Sequence, residues 1–69
     1  MTNAEIIEKA LISLGLGWHT SRDVAEQARR GGWLMTTARA RNVCRHLVRK
    51  NKAYMLVYGG RYSFEFKGA

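Results

Sequence analysis

Residues 36–52 read TTARARNVCRHLVRKNK, and the rest of the chain is organised around them. Laid on a helix at about 100° per residue, the stretch divides into two faces. Thr36, Ala40, Val43, Cys44, Leu47 and Val48 share one side, apolar and small or β-branched enough to dock on a core. Arg41, Asn42, Arg45 and Arg49 share the other, with Ala38 among them and Arg39, His46 and Lys50 on the flank. The second face carries no carboxylate. A solvated helix face normally mixes acid with base, because opposite charges at i,i+4 contribute about 0.2–0.5 kcal/mol per pair and like charges cost as much. Arg41/Arg45 and Arg45/Arg49 are like-charge pairs at that spacing. A densely anionic partner would offset their cost.

Beyond Asn51 the period changes from helical to alternating. AYMLVY (53–58) and RYSFEFK (61–67) are β-prone runs separated by Gly59-Gly60, the signature of a tight hairpin. With the two glycines as the loop, Val57 pairs with Tyr62, Met55 with Phe64 and Ala53 with Phe66. Those six residues lie on one face, which is uniformly apolar and is assigned to the core. Tyr54, Leu56, Tyr58, Arg61, Ser63 and Glu65 lie on the other. An isolated hairpin is marginal, so this one is expected to pack on helices.

Towards the N-terminus two further helices are expected. Thr2-Asn3-Ala4-Glu5 fits a capping box, in which the Thr hydroxyl accepts an orphan N–H and Glu reaches back. Ile6, Ile7, Ala10, Leu11 and Leu14 then recur at helical spacing, and Gly15 and Gly17 end the run. This places helix one at 3–14. Thr20-Ser21-Arg22-Asp23 supplies a second N-cap, and Val24, Ala25 and Ala28 make a short helix over 21–29 that Gly31-Gly32 stop. Trp33, Leu34 and Met35 connect it to helix three, which Thr36 or Thr37 caps.

The 69 residues make one small domain, and 46% apolar content with seven aromatics suffices for a core. A single cysteine permits no intrachain disulfide, in keeping with a reducing compartment. No apolar run approaches the ~20 residues that span a bilayer, and no signal-peptide layout opens the chain. A complete cytoplasmic protein is the expectation. Net charge is +7, unevenly placed. Residues 1–28 set Glu5, Glu8, Asp23 and Glu26 against Lys9 and Arg22, a net −2, whereas residues 29–69 set ten Lys or Arg against Glu65 alone, a net +9. A basic patch of this kind implies a polyanion, most often nucleic acid. A membrane surface fits less well, because the apolar face of residues 36–52 lacks the breadth of an interfacial helix.

The order helix, helix, basic helix, two-stranded hairpin resembles the winged helix-turn-helix domains of transcription regulators. The resemblance rests on 21–29 as positioning helix, 36–51 as recognition helix and 53–66 as wing, with Tyr58-Gly59-Gly60-Arg61 at its tip. It is a likeness of architecture, and the 30–35 connection is longer than the turn of a plain helix-turn-helix. It implies an α+β fold with helix three in the major groove of double-stranded DNA, Ala38, Arg41, Asn42 and Arg45 approaching bases, and the wing touching an adjacent groove or backbone. The chemistry of the residues agrees. Arg can hold guanine O6 and N7, and Asn adenine N6 and N7, with two bonds each. Thr36, Thr37 and the first N–H groups of the helix suit phosphate. Arg39 flanks this face, Arg49, Lys50 and Lys52 fall where backbone is met, and Arg61 can enter a minor groove.

Other readings are an acidic-protein partner or RNA on the same surface. Tyr54, Leu56 and Tyr58, an apolar strip on the outer face of the hairpin, are candidates for homodimer or partner contact. Trp18 and Trp33 are expected in core or rim packing rather than base stacking. No acid/base pair, nucleophile–base pair or phosphate-cradling glycine motif is present, so the chain is read as a non-enzyme without cofactor. His19, Cys44 and His46 do not make the four-ligand set of a structural zinc site.

Overall fold

A computed structural model describes residues 1–67. The order of elements is α1 (Asn3–Leu14), β1 (His19–Thr20), α2 (Ser21–Arg30), α3 (Thr37–Arg49), β2 (Ala53–Tyr58) and β3 (Arg61–Phe66). The architecture is α+β, three helices against a small antiparallel sheet, and is compatible with a winged-helix-like arrangement.

Local chemistry sets the helix ends. Thr2 caps α1 in a full capping box: its hydroxyl accepts the Glu5 N–H at 3.2 Å, while its own N–H donates to Glu5 Oε1 at 3.2 Å. These bonds from the Thr2 N–H and hydroxyl hold the Glu5 carboxyl below the usual carboxylate range. Thr20 and Asp23 repeat the box at α2. Helix α2 runs one residue past the expected end, to Arg30, before Gly31 caps it. Helix α3 closes in a Schellman motif, with Lys52 N–H donating to Leu47 C=O (2.9 Å) and Asn51 N–H to Val48 C=O (3.0 Å). Asn51 occupies the left-handed position at φ 63°, which Asn tolerates better than most residues. The chain thereby turns directly into β2.

The hairpin forms in the expected register, Ala53↔Phe66, Met55↔Phe64 and Val57↔Tyr62. Gly59 and Gly60, at φ 56° and 76°, supply the two positive dihedrals that a two-residue type I′ turn requires. Two expectations about the sheet are corrected. It has three strands in the order β1-β3-β2, because His19 and Thr20 pair antiparallel with Phe64 and Ser63. A two-residue polar strand has no periodicity of its own and forms only because β3 offers it an edge. The inner face of the hairpin is also only partly core. Ala53 and Phe64 are buried and Tyr62 and Phe66 pack on the core from the side, but Met55 and Val57 are exposed. Met55 and Val57 lie on the edge strand β2, whereas their partners Phe64 and Tyr62 lie on the central strand β3, which the core covers.

The core lies between α1, α2, α3 and the base of the sheet. Ile6, Ile7, Ala10 and Leu11 of α1 meet Val24, Ala25 and Ala28 of α2, Ala40, Cys44 and Leu47 of α3, and Met35, Ala53 and Phe64. Thr36, expected on the inner face of α3, is exposed as its N-cap, and Val43 and Val48 flank the buried stripe. Trp18 and Trp33 are exposed rather than packed in the core. Burial pushes the Cys44 thiol up to about 12. Among the described residues no helix is long and apolar enough to cross a membrane, and no group of three or more His, Cys, Asp or Glu is placed to hold a metal.

Candidate nucleic-acid interface

The buried stripe Ala40, Cys44, Leu47 seats α3 on the core. Arg41 and Arg45 follow Ala40 and Cys44 by one residue, about 100° further round the helix, and they are exposed together with Thr37, Arg39, Asn42, Arg49 and Lys50. Among the described residues, none of Arg39, Arg41, Arg45, Arg49, Lys50 or Arg61 forms an ion pair within the protein.

The five carboxylates explain why. Glu5 and Asp23 serve the capping boxes of α1 and α2. Glu8 pairs with Lys52 at 3.1 Å, and Glu26 with Arg22 at 3.3 Å. Glu65 accepts the Gly17 N–H at 2.7 Å. Each is engaged away from α3. The N-terminus of α3 lacks the acid found at the other two: Thr36 accepts the Arg39 N–H at 3.1 Å, but the position filled by Glu5 in α1 and Asp23 in α2 is here Arg39 itself. The partial positive charge of that helix end is left without an acid in its first turn.

The wing and the helices converge on one recess. Thr20, Ser21 and Arg22 at the start of α2, Arg41 of α3, and Gly60, Arg61 and Tyr62 of the hairpin line it. Three arginines from three elements, distant in sequence, therefore border one concave surface. The Arg45 guanidinium lies over the Tyr62 ring, 5.5 Å from its centroid. This contact joins the middle of α3 to the wing and restricts a side chain that would otherwise be free.

Of the polar and charged residues singled out in the sequence, Arg41 and Arg61 meet in the recess, and Arg45 stands beside it through Tyr62. Thr36, Thr37, Arg39, Asn42, Arg49 and Lys50 lie exposed along or at the ends of α3. Lys52 sits elsewhere, bonded to Glu8 of α1. Sequence reasoning missed Arg22, Thr20 and Ser21, and it placed Tyr62 on the core face, where it packs, without the arginine that lies over its ring. Arg22 carried no signal, because with Glu26 at i+4 it resembles an ordinary solvated pair. No family model, curated protein or solved structure matches this chain, and the site stands on its own geometry.

Proposed function

We propose that this chain is a small double-stranded DNA-binding protein of winged-helix type, a transcription regulator or an accessory DNA-binding factor. Helix α3 enters the major groove and the β2–β3 hairpin acts as the wing. The observation that carries this reading is the convergence of Arg22, Arg41 and Arg61 on one recess beside a helix face free of carboxylate. Arg41, Asn42 and Arg45 occupy the positions for base edges. Thr36, Thr37, Arg39, Arg49 and Lys50 occupy those for phosphate, with the open N-terminus of α3 adding its N–H groups. Arg61 at the wing tip reaches the neighbouring groove or backbone. Lys52 contributes only if its bond to Glu8 yields.

The test is binding to duplex DNA across a salt series. Neutralising about five to seven phosphates gives a log–log slope of about −4 to −6. Absence of DNA retention at low salt, or a slope near zero, would remove this function. Competition by RNA hairpins that matches duplex DNA would assign the same surface to RNA. The exposed apolar strand β2 favours one further reading, a winged-helix protein-interaction module whose basic face meets an acidic protein. That reading requires affinity for an acidic protein to exceed affinity for DNA at equal salt.

A further inference from the structure

Strand β2 lies at the open edge of the sheet. Its residues 54–58 are all exposed, Tyr58 to 83%, and none is charged. Edge strands of soluble proteins are normally guarded by a lysine, a proline, a bulge or shortness, because their unpaired N–H and C=O groups template pairing with another chain. Strand β2 carries none of these in its own sequence, and the one cation over it is the Lys67 ammonium, 5.0 Å from the centroid of the Tyr54 ring on the outer face. It is six residues long and pairs without interruption from Ala53↔Phe66 to Tyr58↔Arg61. The two-residue turn makes Tyr58↔Arg61 a hydrogen-bonded pair. Alternation along the ladder then turns the backbone of Tyr54, Leu56 and Tyr58 towards β3 and that of Ala53, Met55 and Val57 towards the open edge. The 2.9 Å bond from Lys67 N–H to Lys52 C=O keeps the same parity.

We infer that β2 pairs antiparallel with β2 of a second copy of this chain across a twofold axis at Leu56, joining two sheets into one of six strands. In this register Met55 exchanges backbone hydrogen bonds with Val57 of the second copy, Leu56 faces Leu56 as a non-hydrogen-bonded pair, and Tyr54 faces Tyr58. Self-complementarity selects a second copy as the occupant. The antiparallel register brings tyrosine against tyrosine on the outer face, a favourable cross-strand pair. No like charges meet within the strand despite the net charge of +7, and the nearest preceding cation, Lys52, is neutralised by Glu8. The exposed surface of residues 54–58 is on the order of 500 Å² per copy, and edge pairing covers only part of it, so the interface buries less than about 1,000 Å², below the standard size of a specific complex. The dimer is accordingly weak and concentration-dependent. The arginine recess includes Thr20 of β1, at the opposite edge of the sheet, so pairing through β2 leaves it open. The inference does not depend on DNA binding.

Sedimentation equilibrium of the whole chain without DNA, from about 10 to 500 μM, tests it. The expected result is a monomer–dimer equilibrium whose dissociation constant rises at least about tenfold in Leu56→Lys. Circular dichroism should show an unchanged fold, because Leu56 is exposed in the single chain. The register has its own test. Leu56→Cys should form a disulfide dimer under mild oxidation, since its Cα atoms face each other at ~4.5 Å, whereas Val57→Cys, opposite Met55, should cross-link far less. Cys44 is buried and does not compete. A chain that stays monomeric throughout, a Leu56→Lys variant that associates like the parent, or equal cross-linking at the two positions would overturn the proposal.

Discussion

Arg45 and Arg49 lie one turn apart on the same cationic face of α3, yet the structure gives them different surroundings. Arg45 sits mid-helix with its guanidinium held over Tyr62. Arg49 is the last helical residue, exposed and without an ion pair. If α3 enters the groove by its N-terminal half, Arg45 reaches a base edge and Arg49 a phosphate. Arg45→Ala should then cost about 1–3 kcal/mol on a preferred site, roughly 5- to 150-fold in affinity, and much less on random duplex. Arg49→Ala should weaken both duplexes alike and reduce the salt slope by about one. The free domain should register only the lost cation–π contact of Arg45 with the half-buried Tyr62 ring, worth about 0.5–1 kcal/mol, or a melting temperature lower by about 2–8 °C at this chain length. The assay begins with selection of a preferred duplex from a random pool. Fluorescence anisotropy then follows each variant on the selected and random duplexes at several salt concentrations, after circular dichroism has established folding. Two variants that bind both duplexes like the parent would refute α3 as the reading element and favour the protein-interaction module. Uniform weakening by Arg45→Ala would leave α3 on DNA but place Arg45 on backbone.

Arg22→Gln and Arg61→Gln should each reduce the salt slope by about one if the recess they share with Arg41 receives phosphate; an unchanged slope in both would empty the recess of that role. Cys44 should resist thiol reagents in the native protein and react in denaturant. Because its thiol is raised by burial to about 12, from an ordinary thiol value near 8.5, the native state holds more protons than the unfolded chain between those values. Stability should therefore fall as pH rises through that window, and Cys44→Ala should flatten this part of a urea-denaturation pH series relative to the parent.

Much of the molecule is decided by its sequence alone, because the interactions concerned are local. Thr2 with Glu5 and Thr20 with Asp23 set helix starts within four residues of chain. Gly59-Gly60 admit the type I′ turn, and the turn in turn fixes the register of β2 against β3. The inner face of α3 follows from the spacing of Ala40, Cys44 and Leu47, and the lack of acid on its other face is visible in composition. What depends on distance was decided only in the folded chain. His19-Thr20 become a strand because β3 lies beside them. Met55 and Val57 stay exposed because they lie on the edge strand, outside the part of the sheet that the core covers, which alternation of residue types cannot reveal. Arg22 joins Arg41 and Arg61 only when α2, α3 and the wing are packed together. Hydrogen-bonded caps and turns are encoded residue by residue, whereas a charged recess is a sum over elements whose positions the core sets.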